Sequence, residues 1–179
     1  GSAHGVAVGG DFTTYSNRQF STESNYYNRG ISVQRSNTTL YNIIHRVEKE
    51  PESENALRPY AGFYNVTSTY NVTIDSCVVT GHATNGTYDI LSNGSSHVTW
   101  KNCTQLNDIN DTKYWGVMAS NYSKNLSWED CVMSRFDAHC GVYNGTIKNS
   151  TLEHLNFIGD GLIRYENVTV YADATRAAI

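Results

Sequence analysis

The stretch SRFDAHCG, residues 134–141, sets Arg135, Asp137 and His139 at alternate positions, with Phe136, Ala138 and Cys140 between and after them. In a β-strand, alternate residues share a face and stand about 7 Å apart. A cation, a carboxylate and an imidazole would then form a line. Arginine presents a planar fork that matches a carboxylate or a phosphate. An aspartate beside a histidine holds its tautomer and raises its basicity. Anion binding next to proton transfer is the chemistry needed to cut a uronate-containing or phosphodiester-linked polymer. His139 is the candidate general acid or base, Asp137 its orienting partner and Arg135 the anion binder. The plainer reading of the same three residues is a solvated polar face.

Three similar stretches, NVTIDSC, HVTWKNC and NLSWEDC, end at Cys77, Cys103 and Cys131 and give a reference for further candidates. His82 and Asp108 each stand five residues beyond their cysteine. Arg135 stands four beyond Cys131, and His154 four beyond Ser150, which takes the cysteine position in GTIKNST. Repeats in register would bring His82, Asp108, Arg135 and His154 together as one polar groove.

The chain has 13 tyrosines and 3 tryptophans. Flat rings stack on sugar faces, and a phenol adds a hydrogen bond. Tyr60, Tyr88, Tyr114 and Tyr122 are candidates to line the groove, with Trp115 at a loop edge and Lys124 at a turn within reach. Strand-favouring surface tyrosine is the plainer account of these rings. The substrate-binding set is therefore His82, Asp108, Trp115, Tyr88, Lys124 and His154. No cofactor is expected. The loop NDINDTK carries Asp108 and Asp111, and oxygen-rich loops bind Ca²⁺, but its spacing is not that of an EF-hand.

The elements that must hold these residues follow from the repeat. Its anchor positions are Ile43, Cys77, Cys103, Cys131, Ser150 and Val168, separated by 34, 26, 28, 19 and 18 residues. Three before the anchor stand Leu40, Ile74, Trp100, Trp128, Ile147 and Tyr165; five before stand Thr38, Val72, Val98, Leu126, Gly145 and Ile163. The residue just before it is Asn42, Ser76, Asn102, Asp130, Asn149 or Asn167. Apolar residues at period 2 closed by an asparagine-like residue predict a short strand entering a bend. A second strand family is expected in AGFYNV, TYDILS and WGVMAS, aligned on Tyr64, Ile90 and Met118, with CGVYNG and NFIGDG replacing it in the short repeats.

Repeats of 18–28 residues with variable loops predict a solenoid, in which each unit is covered by the next. Cys77, Cys103 and Cys131 then read as small buried hydrophobes in a ladder rather than as disulfide partners. No C-x-x-C pair points to zinc. Residues 1–27 read as a cap or lead-in and 28–179 as the solenoid, with a charged loop, HRVEKEPESENALRP, at 45–59. Twelve N-x-S/T sequons occur, and asparagines at bends followed by strand threonines generate such sequons without glycosylation.

Composition limits the partners. The formal net charge is −4, so no basic field points to nucleic acid. No apolar run approaches the roughly 18 residues that a membrane-spanning helix needs. Gly1-Ser2 reads as a cloning scar, so more chain is expected upstream, and more beyond Ile179.

These features resemble the right-handed parallel β-helix proteins of the pectin-lyase-like superfamily over residues 28–171, with about six coils. The stretches YDILSNGSSHVTWKNCTQLNDINDTKYWGVMASNYSKNLSWEDC and SRFDAHCGVYNGTIKNSTL, within 88–152, further resemble the β-helix proteins of bacteriophage tails and appendages. The resemblance implies a virion-borne or extracellular homotrimer that binds, and in many cases cleaves, a bacterial surface glycan or teichoic-acid-type polymer. A glycan-binding segment without activity and a structural shaft are the alternatives.

Overall fold

Strands follow from the period-2 alternation, and the way they associate follows from what a single repeat leaves uncovered. The computed structural model describes residues 6–8, 13–22, 31–33, 35–47, 63–65, 69–81, 87–105, 114–120, 122–139, 141–158 and 160–171. These residues form an all-β structure in which every pairing is parallel. In chain order the strands are β1 (Val6–Val8), β2 (Thr13–Thr22), β3 (Ile31–Val33), β4 (Thr38–Val47), β5 (Phe63–Asn65) and β6 (Tyr70–Asp75). There follow β7 (Val78–Gly81), β8 (Thr87–Asn93), β9 (Ser96–Lys101), β10 (Thr104–Gln105), β11 (Tyr114–Ser120) and β12 (Ser123–Glu129). The last five are β13 (Val132–His139), β14 (Val142–Lys148), β15 (Thr151–Ile158), β16 (Gly161–Glu166) and β17 (Thr169–Val170).

Three parallel ladders result. The first joins the start of β2 and β4 to β6, β9, β12, β14 and β16. The second joins the end of β4 to β7, β10 and the first residues of β13, then to β15 and β17. The third joins β1, β3, β5, β8 and β11 to the last residues of β13 and β15. The chain visits them in a fixed order, as β8, β9 and β10 do and β11, β12 and β13 do again. The short repeats have a simple cause: β13 and β15 each serve the second and third ladders as one strand, with no loop between.

The corner between the first and second ladders needs a residue that re-aims the chain. Asn17, Asn42, Ser76, Asn102, Asp130, Asn149 and Asn167 all adopt the left-handed conformation there, with φ between 47° and 54°. Asparagine and aspartate enter this region more readily than other residues with a Cβ. The six bend positions expected between Asn42 and Asn167 are thus the turning points. A second left-handed column, Asn37, Asn71, His97, Asn125 and Asn144, opens the first ladder.

The anchor row is buried. Ile43, Cys77, Cys103, Cys131 and Ser150 are 1–4% exposed. Leu40, Ile74, Trp100, Trp128 and Ile147 fill the row three before it, in register from strand to strand. The Trp128 ring meets Phe136 edge-on at 4.8 Å between centroids. Cys77, Cys103 and Cys131 are free thiols. Each Sγ lies by the carbonyl of the large residue one layer earlier: Leu40 at 3.9 Å, Ile74 at 3.4 Å and Trp100 at 3.6 Å. Hydrogen bonding with Cys131 pulls the Cys103 thiol down, but hydrogen bonding with Cys77 and burial push it harder, to about 12. Hydrogen bonding with Cys103, together with burial, pushes Cys131 up as well. Cys77 is shifted down by its hydrogen bond with Cys103, against burial, but all three thiols are 2–4% exposed and so are core groups rather than accessible nucleophiles.

Outside, position two before the anchor carries a charge row in register: Asp75, Lys101, Glu129, Lys148 and Glu166. Signs alternate at each step. Lys101 Nζ is 3.3 Å from Asp75 Oδ2. Next to it runs a hydroxyl row, Thr39, Thr73, Thr99, Ser127 and Thr146.

The strand register adds detail at three places. β1 and β2 join the ladders, so parallel pairing begins upstream of the boundary set at residues 27 and 28. His45, Arg46 and Val47 belong to β4 rather than to the charged loop, because they pair with β7; residues 48–59 lie outside the described residues. In the third ladder Tyr64 and Met118 pair with Leu91, not Ile90, which pairs with Phe63 and Val117. The corner between β8 and β9 is one residue shorter than its neighbours, which offsets any count made from the cysteine. Of the segment CGVYNG, Val142–Gly145 belong to β14 of the first ladder, and Cys140 lies outside the described residues.

Candidate functional site

β13 turns from the second ladder into the third within its own length. Met133, Phe136 and Ala138 are 3%, 0% and 1% exposed, so the buried phase shifts between Met133 and Phe136. Arg135, Asp137 and His139 occupy the intervening backbone positions of β13. Their side chains lie outside the described residues. The register places Arg135 beside His154, Asp137 between Met118 and Asn156, and His139 between Ser120 and Ile158. Arg135 and His154 are therefore on adjacent strands about 4.8 Å apart, as their shared offset of four implies. His82 and Asp108 lie outside the described residues, as do Asp111 and Tyr60.

Past His139 the chain rounds the corner into β14. Gly141 takes φ +85° there, in line with Tyr122 of the preceding layer, itself left-handed at φ 61°. The Tyr122 ring lies over this glycine: a Cβ on Gly141 would stand 2.8 Å from Tyr122 Cδ1. Both the conformation and the contact favour glycine. The Tyr122 and Tyr143 rings are stacked, with centroids 6.2 Å apart and planes 9° from parallel. They are 67% and 43% exposed. Tyr143 is the register neighbour of Lys124, which is exposed; Lys124 is in turn beside Ser96, and Ser96 beside Tyr70. Tyr70 is 52% exposed. One row therefore carries an aromatic, a hydroxyl, a cation and an aromatic.

Tyr88 sits in β8 beside Gly116, and Trp115 in β11 where the register shifts between Tyr114 and Val117. Their side chains are outside the described residues. Tyr143 is not among the residues that the sequence singles out. Its signal is positional: Tyr70, Ser96, Lys124 and Tyr143 all stand seven before the anchor. Among the described residues no group of three histidine, cysteine or acidic side chains could hold a metal ion. The corner thus offers exposed ring faces and an ammonium, directly after a strand bearing a guanidinium, a carboxyl and an imidazole. No protein-family model, curated protein or solved structure matches the chain.

Proposed function

We propose that the three ladders are the walls of a right-handed parallel β-helix of about six coils, and that the chain is part of a phage-type tail or appendage protein. It binds a bacterial surface glycan or teichoic-acid-type polymer and cleaves it, as a hydrolase, lyase or phosphodiesterase. The carrying observation is the exposed, stacked Tyr122–Tyr143 pair at the corner that follows β13. Sugars stack on such rings, Lys124 adds a charge for a carboxylate or phosphate, and the bound polymer would cross the end of β13. There His139 transfers the proton, Asp137 orients it and Arg135 neutralises the anionic group. The native protein is a homotrimer in this reading, on the virion or outside the cell, and needs no cofactor.

The test is product formation from purified anionic cell-surface polymers. Loss of a positioned proton-transfer group costs about 10²–10⁴ in rate, so His139→Ala abolishes product while the circular dichroism spectrum is unchanged. Native-rate cleavage by that variant removes His139 from the reaction, and absence of product from the native protein removes the enzymatic assignment.

One observation favours a shaft instead. The outer face of the first ladder is occupied by its own charge and hydroxyl rows, and the side chains of Asp75, Lys101, Asn71 and Asn144 bond to neighbouring layers. A shaft would show neither product nor binding.

A further inference from the structure

The row that ends at the stacked tyrosines crosses four layers. Tyr143, Lys124, Ser96 and Tyr70 are register neighbours in that order, each one layer from the next. Layers lie about 4.8 Å apart, so the row spans about 14 Å from Tyr143 to Tyr70. Its backbone donors are spent on joining layers. The Lys124 N–H donates to the Ser95 carbonyl, the Ser96 N–H to the Thr69 carbonyl and the Tyr70 N–H to Ser36 Oγ. What the row offers outward is therefore its side chains. Tyr143, Lys124 and Tyr70 are exposed, and Ser96 is partly so.

Beside this row runs the second left-handed column. Asn144 Nδ2 donates to Asn125 Oδ1, and Asn71 Nδ2 to Asn37 Oδ1. An amide nitrogen carries two hydrogens. The ladder uses one of them, so Asn144 and Asn71, both exposed, each present a second donor to a hydroxyl-rich ligand.

The order of groups along the row specifies a ligand. The Tyr143 ring, extended by the near-parallel Tyr122 ring, takes the flat face of a pyranose. One layer away Lys124 sets an ammonium against the next unit. Ser96 follows with a hydroxyl that can donate and accept, and Tyr70 with a second ring. One layer is close to the length of one sugar residue in an extended glycan, so each group meets one unit. A polyol-phosphate chain has no ring face to lay on either tyrosine and meets Lys124 alone.

We propose that this row is a four-unit subsite for an acidic glycan lying along the layers. One pyranose stacks on Tyr143 and Tyr122, the carboxylate of the next unit, a uronate, pairs with Lys124, and the fourth unit stacks on Tyr70. The row thereby selects a uronate-containing glycan over a teichoic-acid-type polymer. The inference rests on the polymer-binding part of the proposed function and is independent of cleavage.

The probes are tetrasaccharides of hyaluronan and of unsulfated chondroitin, in which glucuronate alternates with an N-acetylhexosamine. They are titrated into the whole protein by calorimetry, beside their carboxyl-reduced forms, the matching disaccharides and poly(glycerol phosphate). At least one acidic tetrasaccharide binds saturably, roughly three- to fivefold tighter than its carboxyl-reduced form, as expected for one exposed ion pair. Lys124→Gln abolishes that preference. Tyr143→Ala weakens the acidic and the reduced forms alike, by about tenfold for a lost stacking contact. Tyr70→Ala weakens the tetrasaccharide and leaves the disaccharide unchanged. Binding without product upholds the subsite and counts only against the enzymatic step. No saturable binding of either tetrasaccharide, or a preference that Lys124→Gln leaves unmoved, overturns the proposal. Tighter binding of poly(glycerol phosphate) than of both tetrasaccharides also overturns it, while leaving polymer binding itself in place.

Discussion

At the scale of single residues, the left-handed corner positions decide how layers connect. His97 is the odd member of its column. Asn125 Oδ1 accepts from Asn144 Nδ2 at 2.7 Å, which turns Asn125 Nδ2 toward His97 Nε2 at 3.1 Å. The imidazole must accept there, so its proton sits on Nδ1. Asparagine suits the left-handed region better than histidine and would restore the amide ladder. His97→Asn is therefore expected to stabilise the fold by about 0.5–1 kcal/mol, read as a raised melting temperature; a lowered one contradicts the ladder. Asp75 gives a pH-dependent counterpart. Burial opposes its ionisation, but hydrogen bonds from Asn102, Ser76 and Lys101 outweigh it and hold its pKa below the ordinary carboxylate value. A depressed folded pKa means stability that is present above the unfolded pKa, near 4, and lost as pH falls through the folded one. Acid titration of Asp75→Asn should show a shallower loss of stability below about pH 4 than the native chain; identical profiles would remove Asp75 from the account. The bend residues were legible in the sequence because left-handed turns are chemically selective. The alternating charge row was not, since its meaning depends on which residues the register brings side by side.

At the scale of elements, the strand that carries the first ladder was readable because its inward positions recur at fixed distances from one anchor. Trp128 is among the largest fully buried side chains, and its indole Nε1 has no hydrogen-bond partner among the described residues. Truncation to alanine opens a large cavity and is expected to cost about 3–5 kcal/mol. Trp128→Phe should cost less, because it also removes an unsatisfied buried donor. Chemical denaturation of both variants checks the order; equal costs would place the ring outside the packed row. The third ladder was less legible. Tyr64, Ile90 and Met118 share a count from the cysteine, yet Leu91 is the true partner, because a corner shortened by one residue shifts everything upstream of it. A strand's phase survives such a change only on the anchor's own side of the corner. The same limit applies to the site. Arg135 and His154 lie close to their anchors with no loop between, and their shared offset translated directly into register. Tyr143 went unnoticed because its partner Tyr122 lies on the other side of a left-handed corner, and only the contact over Gly141 brings the rings together.

At the scale of the whole molecule, the packed rows and the exposed side chains lie on opposite sides of the strands. Parallel layers cover one another's apolar rows, so the interior is committed to packing and chemistry is left to the outer corners. The first ladder's outer face satisfies itself through charges, hydroxyls and amides. The corner after β13 does not: it exposes two ring faces and an ammonium, beside the strand that carries Arg135, Asp137 and His139. A bound polymer should engage that corner whether or not it is cut. The most direct measurement is NMR chemical-shift mapping of the ¹⁵N-labelled chain titrated with anionic bacterial surface polymers, uronate-containing and teichoic-acid-type. The account predicts shifts concentrated at Tyr122, Lys124, Gly141, Tyr143 and the 135–139 segment, and their loss in Tyr122→Ala. Saturable shifts confined to the charge and hydroxyl rows of the first ladder, or no shifts with any such polymer, would contradict it.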